Sequence, residues 1–569
     1  MIALIATFAL VGMFVVKLVD IQLVSADELN KQSSGKRSIA VTTYAPRGSI
    51  VDANGTVLAD SVTRYDITAS PSNIHDYTPK GKAKITVLDQ SNEIAAITQQ
   101  NPTDVYQALT KNPTANYSLV SSAVDTASMR AVVKLGIPGI YYASHPKRTY
   151  PDGSVAGNLV GYVGTDGPQA GIENMYNSCL KSTNGTSTYE QGADGVQIPG
   201  SSVSGKPAVQ GGTIKLTIDS DLNWFVQQAI AEQGTAIGAQ SATGIVVRIK
   251  DAHLMAVADW PSVDPNNVSA TPVHNMGSLA FTEQYEPGSV FKGMSASMLI
   301  DTGTGSPTMQ ATVPWAWKTP EGGNVHDAGA HAVERLTLTG VLQQSSNVGM
   351  SMLGIKVPEK TRYNYMKAFG LGQKSAVNFQ GEAGGHIQGL PWDDQTKYNV
   401  LYGQGVSATA LQVAGIYQTL GNNGVRLPLT LVEGCTKADG TVTDLPSTTG
   451  TKVIAASSAK TVVNMLESVV DSGELSSLAK IPGYRVAGKS GTAEVAQNGK
   501  YGTDRIVSFV GLAPADDPQY EVLVTYTKPT TIKTSAAAAP TFKKIMTQVL
   551  TKYRVPPSTT PSTYPATNW

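Results

Sequence analysis

Ser289 and Lys292 stand three residues apart in EPGSVFKGM, and the chain later carries Ser345-Ser346-Asn347 and Lys489-Ser490-Gly491-Thr492. Residues three apart on a helix lie one above the other, so the lysine amine can reach the serine hydroxyl. A serine hydroxyl is a poor nucleophile until a base removes its proton. Lys292 can serve only if its amine is neutral near pH 7, a fall of about 3 units from ~10.4 through burial and a nearby cation. Lys489 is the natural second cation. Ser345 is suited to relay a proton to a leaving amine, and Asn347 to hold Lys292 and a substrate peptide amide. Together these groups are a kit for making and resolving an acyl-serine. Singly they mean little, because S-x-x-K is common on exposed helices and the other two motifs are ordinary turns or caps. Their conjunction in this order carries the chemistry.

The elements around these residues must present them to a substrate. Pro287-Gly288 should bend the chain before Ser289, leaving the serine at or near a helix N-terminus where backbone amides can stabilise an oxyanion. Gly491 would let an edge strand approach an extended peptide closely. Upstream, TIKLTI alternates as a strand, and Asp219 can cap a helix beginning DSDLNWFVQQAIAEQ. TGIVVRIKDAHLMAVADWPS reads as two strands around a turn, and strands mix with helices to about Leu550. This pattern fits a layered α/β or α+β domain. Asn54-Gly55 between apolar runs signals a two-residue hairpin. The tail after Tyr553, RVPPSTTPSTYPATNW, cannot bury a core and is expected to be disordered.

Composition removes several function classes. In 569 residues, 43 basic side chains balance 43 acidic ones, which leaves no electrostatic footprint for nucleic acid. His326 and His331 in HDAGAH invite a metal reading, but no third ligand follows at sensible spacing. Trp315, Trp317 and Trp392 suit buried packing better than a cleft lining. Cys179 and Cys435 lie far apart, and a disulfide between them is possible without being required. Met1–Val16 is free of charge, and with Lys17 snorkelling the apolar helix can continue to about Val24, enough for one membrane anchor. A cleaved leader competes, since Val24-Ser25-Ala26 resembles a signal-peptidase site. The basic flank that usually precedes such a helix is missing, as a start site placed too far downstream would explain.

Beyond its three motifs the chain resembles the class B penicillin-binding proteins, membrane-anchored DD-transpeptidases of peptidoglycan synthesis. Arg47-Gly48-Ser49-Ile50, Asp52 and Asn54-Gly55 are similar to that class's R-G-x-I-x-D-R-N-G signature, with Ala53 in place of the usual arginine. Arg148-Thr149-Tyr150-Pro151 and Gly171-Ile172-Glu173 resemble pedestal segments. Phe369–Gly372, Tyr402–Gly405 and Ser508–Gly511 resemble the catalytic domain. TVLADSVTRYDI and SSNVGM look most like the division-specific enzymes of high-GC Gram-positive bacteria.

The resemblance implies an α+β fold: an antiparallel sheet flanked by helices, on an elongated pedestal. The expected boundaries are an anchor over 1–24, a dimerisation-type pedestal over 25–212, a transpeptidase domain over 213–553 and the tail over 554–569. It implies catalysis by Ser289, Lys292, Ser345, Asn347 and Lys489, with Ser490, Gly491 and Thr492 on the substrate and the Thr492 amide as an oxyanion donor. No cofactor is implied. Expected partners are peptidoglycan stem peptides, β-lactams, a SEDS-type glycan polymerase and other division membrane proteins, with the catalytic domain outside a single-pass anchor. The alternatives are an elongation-type transpeptidase, a hydrolase such as a DD-carboxypeptidase or β-lactamase, and a non-catalytic scaffold. A β-lactamase needs no pedestal of ~200 residues, and the intact polar set argues against a scaffold.

Overall fold

The computed structural model describes the chain except residues 79, 80, 82, 191–197, 498 and 499. It divides into two compact units: one of residues 1–48, 61–148 and 181–212, the other of residues 49–60, 149–180 and 213–569.

The larger unit is organised by a five-stranded sheet in the order His253–Trp260, Ser241–Arg248, Tyr520–Thr527, Lys500–Ala513, Ala487–Gln497. Every neighbouring pair in it is antiparallel. The central strand Tyr520–Thr527 is buried along its whole length, as a strand covered on both faces must be. Side chains alternate across it: Val522, Val524 and Tyr526 join Val226, Ile230 and Phe542, while Leu523 faces a second core with Met294, Leu411 and Leu466. Helices Ser220–Ile237 and Ala539–Lys552 supply the first core. Helices Lys292–Asp301, Ala410–Gly421 and Ala456–Asp471 supply the second. Asp219 caps the first of these helices, accepting the Leu222 amide at 3.1 Å.

Residues 49–60 and 149–180, which the sequence reading assigns to the pedestal, pack with this unit. A hairpin forms at Asn54-Gly55, with Ile50 opposite Ala59 and Val51 opposite Val57, but its loop has three residues, not two: the Asp52 amide donates to the Thr56 carbonyl and the Gly55 amide to the Asp52 carbonyl. Asp52 holds it, accepting the Asn54 and Thr56 amides at 2.8 Å through one oxygen and the Ser220 amide and hydroxyl at 3.0 and 2.8 Å through the other. The buried carboxylate is thus fully satisfied, as its desolvation requires. Cys179 and Cys435 are joined by a disulfide.

The tail departs from expectation. Residues 554–569 are tied down rather than disordered: Ser558 donates its amide to the Gly483 carbonyl and Ser562 its hydroxyl to Glu467. Thr337 donates its amide and hydroxyl to the Thr567 and Ala566 carbonyls, and Arg335 stacks on Trp569 at 3.9 Å. A polar segment cannot build a core, but it can complete backbone hydrogen bonds along an existing surface.

In the smaller unit, helices Val87–Thr98, Pro102–Thr110 and Thr126–Lys134 are capped by Thr86, Asn101 and Asp125. Their apolar faces share a core of Ile67, Ile94, Val105, Leu109, Val120 and Val132. Strand Ser38–Thr43 pairs antiparallel with Gly185–Glu190. The N-terminal helical stretch Ile2–Val24 spans 23 residues and contains an 18-residue window of mean hydropathy 2.5, long and apolar enough to cross a bilayer.

Candidate active site

Gly288 adopts φ +60°, a conformation that favours glycine, and lets the chain turn at Pro287 into a short 3₁₀ turn over Gly288–Phe291. Ser289 lies in that turn, and Lys292 opens the α-helix that continues it. The turn is held from outside. Gly288 donates its amide to the Gly403 carbonyl at 3.0 Å, and the Tyr417 hydroxyl donates to the Val290 carbonyl at 2.7 Å. A side chain at Gly403 would collide with the Gly288 carbonyl oxygen, so the Tyr402–Gly405 segment packs directly against the nucleophile turn.

Lys292 is completely buried. Its amine lies 2.7 Å from Ser289 Oγ and 2.7 Å from Asn347 Oδ1, and it also donates to the Ser345 carbonyl. Ser345 has a left-handed backbone, φ +60°, unusual for a residue with a side chain. Lys489 is buried as well and donates to Ser345 Oγ at 2.8 Å, with Ser490 Oγ at 3.3 Å. Ser345 Oγ is therefore shared between the two amines, being 3.5 Å from Lys292 Nζ. Burial first, then the Lys489 cation, pushes the Lys292 amine well below the ordinary lysine range, with Asp327 opposing. Burial alone lowers Lys489 to about 7.

The structure thus gathers Ser289, Lys292, Ser345, Asn347 and Lys489 into one hydrogen-bonded set. Ser490, Gly491 and Thr492 follow on the edge strand Ala487–Gln497. Gly491 makes a close approach to the protein itself: a Cβ there would lie 2.3 Å from Ser508 Oγ and 2.9 Å from Val290. The strand is thereby pressed against the nucleophile turn. Thr492 Oγ1 meets Ser535 Oγ at 3.1 Å.

Several residues beside the site escaped the motif reading. Ser535 has no sequence signal beyond being a serine. Glu286, which precedes Pro287, accepts the Gly405 amide at 2.8 Å and the Tyr501 hydroxyl at 3.0 Å. Burial raises its carboxyl above the usual range. Asp327 sat unnoticed between the two histidines weighed for metal, although it binds Ser346, the Val348 amide and His331. Of the tryptophans, Trp392 is buried beside Arg362 and Tyr363 and Trp317 packs edge-on to Tyr398, whereas Trp315 is 47% exposed.

A serine hydroxyl within hydrogen-bond reach of a buried lysine one turn on, beside a sheet edge, is the arrangement a serine acyltransferase requires. Comparison with known proteins narrows it. Residues 242–547 match the family described as penicillin binding protein transpeptidase domain, and residues 42–216 match the penicillin-binding protein dimerisation domain. The chain is 33% identical to the penicillin-binding protein PbpB of Mycobacterium tuberculosis, over 95% of this chain and 83% of that one. It is 30% identical to the peptidoglycan D,D-transpeptidase FtsI of Escherichia coli, over 94% and 89%. Among solved structures, penicillin binding protein 3 from M. tuberculosis complexed with aztreonam aligns with a TM-score of 0.70 at 28% identity, covering 92% of this chain and all of that one. The chain belongs to the penicillin-binding transpeptidase family, as a class B member with serine-type D-Ala-D-Ala transpeptidase activity.

Proposed function

We propose that this enzyme cross-links peptidoglycan stem peptides during septal wall synthesis, through an acyl-enzyme on Ser289. The observation that carries the assignment is the bonding of the buried Lys292 amine. A neutral amine has two N–H groups and one lone pair. The Ser345 carbonyl and Asn347 Oδ1 take the two N–H groups, which leaves the lone pair for the Ser289 proton.

Ser289 Oγ then attacks the carbonyl of the penultimate D-Ala as Lys292 takes its proton. The oxyanion is held by the Ser289 and Thr492 amides, aimed at charge that appears only in the transition state. Collapse breaks the peptide bond, and the leaving D-Ala amine receives the proton from Lys292 by way of Ser345. Lys489, Ser490 and Thr492 bind the substrate's terminal carboxylate. That negative charge raises the Lys489 pKa from about 7, so substrate binding itself secures the cation. The amine of a second stem peptide attacks the ester, releases Ser289 and completes the cross-link. A β-lactam enters the same path, but its ring-opened product keeps the leaving group tethered and blocks the acceptor.

The septal role is supported by similarity to PbpB and FtsI. The apolar helix supports a single-pass anchor over 1–24; all that follows would lie outside the cytoplasm, where peptidoglycan is cross-linked. Residues 25–212 serve as the pedestal, 213–553 as the transpeptidase domain and 554–569 as its tail. The match of residues 42–216 to a dimerisation domain supports a protein partner there in place of a substrate. The partner chemistry is a membrane-embedded glycan polymerase of the SEDS type, since cross-linking is useful where new strands emerge. Gly12 has open space around it and Ala9 is small, so another helix can approach closely.

Intact-mass measurement after incubation with penicillin tests the nucleophile. One adduct is expected, absent in Ser289→Ala; labelling that persists there overturns the assignment. Replacing residues 1–24 with an unrelated transmembrane helix tests the partner. Co-purification and polymerisation that survive this swap, and survive Arg47→Glu, would reduce the pedestal to a spacer.

A further inference from the structure

Asn347 can hold Lys292 correctly only if its amide is turned the right way. Its Oδ1 must face the Lys292 amine, which already has N–H groups to place, and its Nδ2 must face an acceptor elsewhere. That acceptor is the carbonyl of His326, 3.0 Å away. The next residue, Asp327, is buried, and both of its oxygens grip the motif from behind. Oδ2 accepts the Ser346 hydroxyl at 2.7 Å, and Oδ1 accepts the Val348 amide at 2.9 Å. Ser346 in turn caps the helix Asn347–Gly354 by accepting the Gly349 amide at 2.8 Å. The middle residue of S-S-N, idle in the chemistry, is the handle by which the motif is held.

We propose that Asp327 is a positioning residue for acylation: through Ser346 and the Val348 amide it fixes Asn347 and the left-handed turn at Ser345, and so sets the two acceptors that orient the Lys292 amine toward Ser289. The proposal rests on the assignment of Lys292 as the base. Asp327 touches neither substrate nor the reacting atoms; it acts through Asn347 and Ser345. It is also the anionic charge that acts on Lys292, against the Lys489 cation from the edge strand. His331 Nε2 donates to the same Oδ2 at 3.0 Å, and the Ala332 carbonyl first, then Asp327, raise the imidazole pKa.

Two variants separate positioning from mere stability. Asp327→Asn keeps the shape but must place an NH2 group either against the Val348 amide or where Oδ2 accepts both the Ser346 hydroxyl and the His331 N–H, so at least one of these bonds is lost. Ser346→Ala removes one strand of the grip and leaves the charge. Acylation of the full-length protein by a fluorescent penicillin is measured from pH 5 to 9, normalised to folded protein by thermal melt, beside Ser289→Ala and Lys292→Arg. Asp327→Asn is expected to slow acylation roughly 30-fold and to move its acid limb to lower pH, because the charge favouring protonated Lys292 is gone. Ser346→Ala is expected to slow it roughly fivefold with the limb in place. Rates per folded molecule within about twofold of the parent in both variants, or an unmoved limb in Asp327→Asn, would reduce Asp327 to a helix cap. Acylation persisting in Lys292→Arg would instead remove the base assignment on which the proposal stands.

Discussion

In the catalytic unit buried charged side chains are the point of the structure; in the N-terminal unit the described residues bury polar ones such as Gln90 and Ser91 but no charged one. Lys292 and Lys489 are both fully buried, with hydroxyl, amide and carbonyl partners in place of a carboxylate in direct contact. The three-helix core of the N-terminal unit is aliphatic, and its ionic groups work at helix ends, such as the Thr86–Asp89 capping box and Asp125. A buried amine is costly to keep charged, which is why burial lowers both lysines toward the neutral form. Two such groups side by side mark where the molecule gives up stability for reactivity.

Lys292→Arg should lower penicillin acylation by about three orders of magnitude, since guanidinium remains protonated and cannot act as a base. Lys489→Arg keeps a cation for the carboxylate and should cost only about 10–30-fold. Equal losses in a time course of fluorescent penicillin labelling would mean that the two lysines do not divide the work as described.

The same pair sets the pH profile. Deprotonation of Lys292 activates the nucleophile, so acylation rises with pH along a limb well below the ordinary lysine range. Deprotonation of Lys489 removes the carboxylate's partner, so acylation of the free enzyme should fall as pH rises past about 7. Lys489→Arg, which stays charged, should abolish that alkaline fall while leaving the acid limb. An alkaline limb unchanged in this variant would place it on another group.

Much of this site was legible because its constraints are local or chemical. The spacing of Ser289 and Lys292 is a helix turn, the order of the motifs is chain order, and the Asp219 cap and Asn54-Gly55 hairpin are short-range rules. What escaped the reading depends on distant pairings. Asp327 stands 19 positions before Ser346, and nothing in HDAGAH says that its carboxylate bonds a helix N-terminus as well as His331. K-S-G-T likewise gives no sign that a side chain at Gly491 would meet Ser508 and Val290 of the protein itself. The tail was read as disordered from its composition alone. Composition reports what a segment can bury, not which unpaired carbonyls and carboxylates a folded surface offers it.

That tail gives a smaller, structural prediction. Arg485 binds buried Glu467 at 2.6 Å, and Ser562 donates to the same carboxylate at 2.6 Å while Thr560 accepts from Arg485 at 3.1 Å. Deleting residues 558–569 should lower the Tm by roughly 3–8 °C. A melt unchanged by the deletion would show that these bonds merely replace equivalent ones to water.

The N-terminal unit should answer differently to damage. Leu109 is 1% exposed in its aliphatic core, so Leu109→Ala should destabilise that core by about 2–4 kcal/mol. Because no side chain of this core takes part in the Ser289 set, the rate of acylation per folded molecule should stay within about twofold of the parent. Hydrogen exchange would read the core and penicillin labelling the site, on the same sample. Were acylation to fall in step with the loss of protection, the two units would share more than a covalent chain, and the contrast between a reactive core and a merely rigid one would have to be abandoned.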